Sequence, residues 1–140
     1  MQHSQAQTRF EISTNNRLSV RDITEQVCDA IPDEATGIAT VFIEHTTAAV
    51  TVNEAENRLQ NDFETALDEL IDNTGWQHDE LDGNADSHIR AMLIGASATI
   101  PVTDGRLTTG TWQSVLLIEC DGPRTRTVSV TVTPTVSNRN

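Results

Sequence analysis

The sequence predicts an α+β domain, a mainly antiparallel sheet or sandwich with helices grouped beside it. Three observations lead there. The last third reads as consecutive strands without helices between them. Val128, Val130 and Val132 alternate with Thr127, Ser129, Thr131 and Thr133, as in an antiparallel strand with one apolar face and one solvated or interface face. The helical periodicities all fall earlier, before Gly95. At 140 residues, without repeat or linker, the chain reads as a single domain over residues 1–140 with one hydrophobic core.

In chain order, residues 9–13 alternate, with Phe10 and Ile12 on one side, and read as a first strand. Ser19 and Asp22 resemble a capping box, after which Ile23, Val27, Ala30 and Ile31 keep the helical period until Pro32 stops it. Residues 38–43 form a short β-branched run, a buried strand that ends at Glu44-His45, and residues 49–52 add another. Leu59, Phe63, Ala66, Leu67, Leu70 and Ile71 mark an amphipathic helix with an acidic outer face, and Gly75 lies just past its end. The acidic loop 76–85 carries the turn signal Asp82-Gly83-Asn84. Asp86 or Ser87 then caps a short helix with Ile89, Met92 and Leu93 on its core side and Gly95 as its stop. Further strands are expected at 98–102, 115–120 and 127–133, with a hairpin turn at Thr103-Asp104-Gly105-Arg106. The polar ends, 1–7 and 137–140, read as frayed termini.

Twenty-one acidic residues face nine basic ones, all arginine, for a formal charge of −12. Such a surface repels nucleic acid and anionic membranes, so neither is expected as a partner. Acidity without lysine suits a cytoplasm of very high salt, where screening removes self-repulsion; an ordinary acidic protein is the alternative. No apolar run reaches the roughly 20 residues of a membrane helix, and the start of the chain has no signal core, so a cytoplasmic location is expected. Cys28 and Cys120 sit in apolar segments without CxxC spacing, which predicts two buried, reduced thiols.

His3 falls in the polar start, which leaves His45, His78 and His88, each at an element boundary where loops converge. His88, in a first helical turn, faces the positive end of the helix dipole, which favours a neutral ring able to bind metal. Three imidazoles with an open position would match a catalytic zinc site. The spacing is no tight ligand motif, and three independently hydrogen-bonded histidines are the alternative. Glu119 interrupts an apolar run and shares a strand face with Val115 and Leu117. Either it is buried and meets a histidine, arginine or metal, or the strand ends at Ile118 and it is solvated.

Thr46, Thr47, Asn53 and Gln113 offer hydroxyls and amides. Arg90, Arg106, Arg124 and Arg126 are cations for an anionic substrate, with Arg124 the phosphate candidate against a role as surface counter-charge. Trp112 is expected in the core, with stacking on a substrate ring as the alternative. GxGxxG, Walker and GxSxG motifs are absent from the sequence, so nucleotide and serine-hydrolase readings have no motif support.

Taken together, Glu44-His45-Thr46-Thr47-Ala48-Ala49, Asn53-Glu54, His78-Asp79, Gly83-Asn84-Ala85-Asp86-Ser87-His88-Ile89, Ile100-Pro101-Val102, Gly110-Thr111-Trp112-Gln113 and Asp121-Gly122-Pro123-Arg124 resemble the YjbQ family, in order from about Phe10 to Val132. The resemblance implies an α+β sandwich that assembles as a homotrimer, with the histidines around a pocket able to hold a metal. It also implies a weak or secondary thiamine-phosphate synthase activity that joins a pyrimidine pyrophosphate to a thiazole phosphate. On that expectation His45, His78 and His88 hold a divalent metal, zinc by ligand type. Glu119 or Asp79 acts as base or supporting partner, and Arg124 steadies the phosphate of a small phosphorylated substrate. The alternatives are a non-catalytic trimer that holds a small anion or metal, and a polar cluster that only fixes the oligomer.

Overall fold

In the computed structural model, which describes residues 6–135, two antiparallel sheets stack face to face, with two helices on the outer side of the smaller one. The larger sheet has strand order β1-β8-β3-β5-β6, from β1 (Ala6–Ser13), β8 (Thr125–Pro134), β3 (Gly37–Ile43), β5 (Ser97–Thr103) and β6 (Arg106–Leu107). The smaller has order β2-β7-β4, from β2 (Ser19–Asp22), β7 (Ser114–Glu119) and β4 (Ala48–Asn53). Val41, Ile43, Val128, Val130 and Val132 of the first sheet meet Val50, Val115 and Leu117 of the second in the main core. Leu116, Ile118 and Cys120 point the other way, toward helices α2 (Asn57–Leu70) and α3 (Ala85–Ile94), so β7 is buried on both faces. This is the predicted α+β sandwich. Among the described residues no helix is long and apolar enough to cross a membrane.

Local sequence explains most elements. Asp104 and Gly105 both adopt positive φ, at 50° and 79°, the geometry of a tight hairpin turn, and a Cβ on Gly105 would lie 2.0 Å from the Asp33 carbonyl. The helix at 57–70 follows its expected stripe only in part, since Leu59, Phe63 and Leu67 are half-buried while Ala66 is exposed and Leu70 is 71% exposed; its cap is Glu56, which accepts from the Arg58 and Leu59 amides.

Five expectations need correction. Ser19–Asp22 is strand β2, paired with Glu119–Leu116 of β7, rather than a helix start. The ladder to a buried strand outcompetes a capping box worth about 1 kcal/mol. Asp22 still accepts from the Thr24 amide at the start of helix α1, which shrinks to Thr24–Asp29. In α3 the inward face is Asp86, Ser87, Arg90 and Ala91, while Met92 and Leu93 are exposed. Arg90 turns inward because it has partners there: Asp86, the α2 carbonyls of Leu67 and Ile71, and Asn73 Oδ1. A cation at a helix C-terminus is favourably placed, so Arg90 is a strut and not a substrate contact. Trp112, expected in the core, is 73% exposed, and Cys28 is exposed rather than buried. Of the ends read as frayed, Ala6 and Gln7 belong to β1; residues 1–5, with His3, and 137–140 lie outside the described residues.

Candidate functional site

At one end of the sandwich the ends of β3, β7 and β8 converge with the N-terminus of α3 and enclose a pocket of about 740 Å³. Its walls include His45, Thr46, Thr47, His88, Asp121 and Arg124.

The floor is an ion pair. Glu119, at the end of β7, shares the face of Val115 and Leu117 as the alternation predicts, and it is fully buried. Arg126, on β8, donates from Nε to both carboxylate oxygens, at 2.9 and 3.1 Å, and from Nη2 to Oε2. Thr14 Oγ1 donates to Oε1 at 2.6 Å and the Asp121 amide to Oε2 at 3.0 Å. Arg126 Nη2 also donates to the carbonyl and hydroxyl of Thr47. A buried carboxylate is tolerable when every lone pair is used and its charge is matched, and here both conditions hold. The expectation that a buried Glu119 meets an arginine is met. Gly122 lets the next loop close over the pair, since a Cβ there would lie 2.1 Å from the Asn16 carbonyl and 2.9 Å from Glu119 Cγ.

His45 is held by an unusual bond: its Nε2 accepts from the Thr127 amide at 2.8 Å. An acceptor nitrogen has its lone pair engaged, so the neutral ring carries its proton on Nδ1. Burial lowers the His45 pKa from its usual value, and the Arg126 cation adds to that. The ring is therefore a fixed, neutral hydrogen-bond donor.

His88 also lines the pocket, from the first turns of α3. His78, on a short 3-10 turn (Gln77–Glu80), meets it edge to face, with ring centroids 5.0 Å apart. His78 Nε2 is buried without a hydrogen-bond partner; the nearest carboxylate, Asp82 Oδ2, is 3.6 Å away. Two of the three imidazoles thus adjoin, while His45 shares only the pocket lining with His88 and has Nε2 committed. Among the described residues no group of three or more His, Cys, Asp or Glu side chains is placed to hold a metal ion. The three-histidine ligand set is not assembled.

The expected acid–base residues are also occupied. Glu119 is sealed beneath the pocket, out of reach of a substrate proton. Asp79 accepts from the Trp76 amide at 3.1 Å and the Ala85 amide at 3.3 Å, which pins the loop leading into α3. Arg124 lines the pocket, half exposed, with Nε on the Asp121 carbonyl at 2.9 Å and Nη2 on its carboxylate at 3.0 Å. Its Nη1 makes no hydrogen bond among the described residues. Asn84 Nδ2 holds the same Asp121 carboxylate at 3.0 Å, tying the α3 N-terminus to this wall.

Arg106 and Gln113 lie outside the pocket; Gln113 Oε1 accepts from the Gly110 amide, and Asn53 Oδ1 from the Glu54 amide. Sequence reasoning missed Thr14 as the fourth member of the buried cluster, and nothing local marks it. It also gave Trp76 no role, and read Asn84 only as part of a turn and of a motif, although both stand in the loop it singled out.

The chain is similar to known proteins along nearly its whole length. The family model described as UPF0047 protein YjbQ-like matches residues 8–135. A UPF0047 protein of Archaeoglobus fulgidus is 42% identical over 120 residues, covering 85% of this chain and 94% of that one. The Bacillus subtilis UPF0047 protein YugU is 37% identical, covering 84% and 92%. Among solved structures, a hypothetical protein from Aeropyrum pernix K1 superposes with a TM-score of 0.88 at 42% identity, over 92% of this chain and 98% of that one. A YbjQ-like protein of unknown function from Sulfolobus solfataricus P2 gives 0.87 at 33% identity, over 94% and 99%.

Proposed function

The chain belongs to the YjbQ-like UPF0047 family, and from that premise we propose that it binds a small phosphorylated molecule between His45 and His88 and transfers a group at the phosphate-bearing carbon. Thiamine-phosphate formation is the reaction of this type that the resemblance implies. One observation carries the reading: the half-exposed Arg124 guanidinium, neutral His45 and the Thr46 and Thr47 hydroxyls line one pocket, on a floor fixed by Glu119 and Arg126. Donors fixed in advance stabilise developing anionic charge without reorganisation.

The condensation needs no free carboxylate. The thiazole nitrogen forms a bond to the pyrimidine methylene carbon with its lone pair, the carbon–oxygen bond breaks, and the electron pair leaves with pyrophosphate. No proton is removed. The site must instead meet the departing charge, for which Arg124 Nη1 and His45 Nδ1–H are the available donors. The divalent metal expected on His45, His78 and His88, zinc by donor type, would neutralise charge on the leaving group, but the described residues do not bring that ligand set together. Catalytic zinc sites use three protein ligands, and His45 is committed elsewhere, so no step depends on the metal. Homotrimeric assembly belongs to the same reading, supported by the exposure of Ile38 and Phe42 on the uncovered face of the larger sheet.

The test pairs calorimetry with turnover. Arg124→Ala should weaken inorganic phosphate binding and slow product formation from the two thiamine precursors, each by about tenfold or more, with little change in melting temperature. Unchanged binding and turnover would overturn the proposal. The structural use of both Glu119 and Asp79 favours a second reading, a binding protein without turnover. A phosphate ester that binds and is recovered unchanged would select it.

A further inference from the structure

Beside the polar pocket lies a second cavity of about 490 Å³, lined by Trp76, Gln77, His78, Ala85, His88 and Ile89. His88 lines both. The two differ in chemistry: the first presents charged groups and hydroxyls, the second mainly aromatic and aliphatic surface. Trp76 is still 38% exposed, although it is a large apolar side chain. Its ring is not loose. Nε1 donates to the Asp72 carbonyl at 2.7 Å, and the Trp76 amide donates to Asp79 Oδ2. His78 and His88, both in the wall of the second cavity, meet edge to face. A fixed indole beside two perpendicular imidazoles is a wall suited to a flat apolar group.

We propose that the second cavity is the subsite for a planar, apolar part of the same ligand whose anionic group occupies the polar pocket, and that Trp76 sets the preference for it. The proposal rests on the anion-binding reading of the polar pocket. His88 stands where the two parts of the ligand join, which makes the separation between anion and ring a selected quantity. Asp79 becomes a positioning residue, since it holds the Trp76 backbone and the α3 N-terminus together.

Calorimetry with three probes tests this on the whole chain, Trp76→Ala and Trp76→Phe: inorganic phosphate, phenyl phosphate and phenol. Phenyl phosphate should bind the unaltered chain about tenfold more tightly than inorganic phosphate. That margin should fall below about threefold in Trp76→Ala and persist in Trp76→Phe, with inorganic phosphate affinity equal in all three. Equal affinity for the two phosphates in the unaltered chain, or a margin that survives Trp76→Ala, overturns the subsite. Failure of both phosphates to bind defeats the anion reading instead. Phenol then decides the subsite alone: binding that is lost in Trp76→Ala upholds it, and no binding removes it.

Discussion

Glu119 and Arg126 join the two sheets of the sandwich at its functional end, one from β7 and one from β8, with side chains 0% and 1% exposed. Their bond is the floor on which Thr47, Thr14 and the Asp121 amide are arranged. Removing one member strands the other's charge in the interior. Glu119→Ala should therefore cost about 3–5 kcal/mol in urea denaturation, and replacing both residues by Leu and Met should cost clearly less than the two single changes summed. A single substitution that costs under about 1 kcal/mol would show the pair to be solvated.

His45 should make stability depend on pH in one direction. Its folded-state pKa lies below the usual 6.5, through burial first and the Arg126 cation second. The folded state thus disfavours the protonated ring, whose extra proton would also oppose the Thr127 amide. The contribution is complete above the unfolded value and is lost as the pH falls below it toward the folded value. Between about pH 7 and about pH 5 the unaltered chain should lose more thermal stability than His45→Gln, which cannot titrate. Parallel curves for the two would show that His45 carries no linkage.

The two thiols should separate cleanly. Cys120 is buried, and burial first, then the neighbouring Glu119 charge, pushes its thiol up to about 12. Cys28 is exposed, with a smaller upward push from burial and Asp29. A chromogenic disulfide reagent should titrate Cys28 alone in the native protein and reach Cys120 only after denaturation. Two fast thiols in native buffer would contradict the packing of β7 against α3.

The charge of −12 makes a prediction about salt. Molar potassium chloride should raise the melting temperature by about 5 °C or more by screening repulsion among surface carboxylates. Equal melting in dilute buffer and in molar salt would mean that the acidity plays no part in stability.

Periodicity alone identified β3, β4, β8 and α2, because an alternating or helical stripe is a local property that burial merely reads out. It put Glu119 in phase with Val115 and Leu117 for the same reason, but left open whether the strand reached it or ended at Ile118. Ser19–Asp22 misled because a capping box is also local, whereas the ladder that claims these residues comes from Leu116–Glu119, almost a hundred positions on. The α3 face was inverted because the reason for Arg90 to point inward is a set of carbonyls on another helix.

Residue order and type were enough for the mainly antiparallel α+β class and the acidic surface. The task of each polar group was settled by packing in three dimensions. Glu119 finds Thr14 across 105 positions, and His45 finds the Thr127 amide across 82. A residue's type sets what it can donate or accept. Its partner is set by which strands the packing of the two sheets brings together, and that choice leaves Arg124 half free over the pocket while it seals Arg126 beneath.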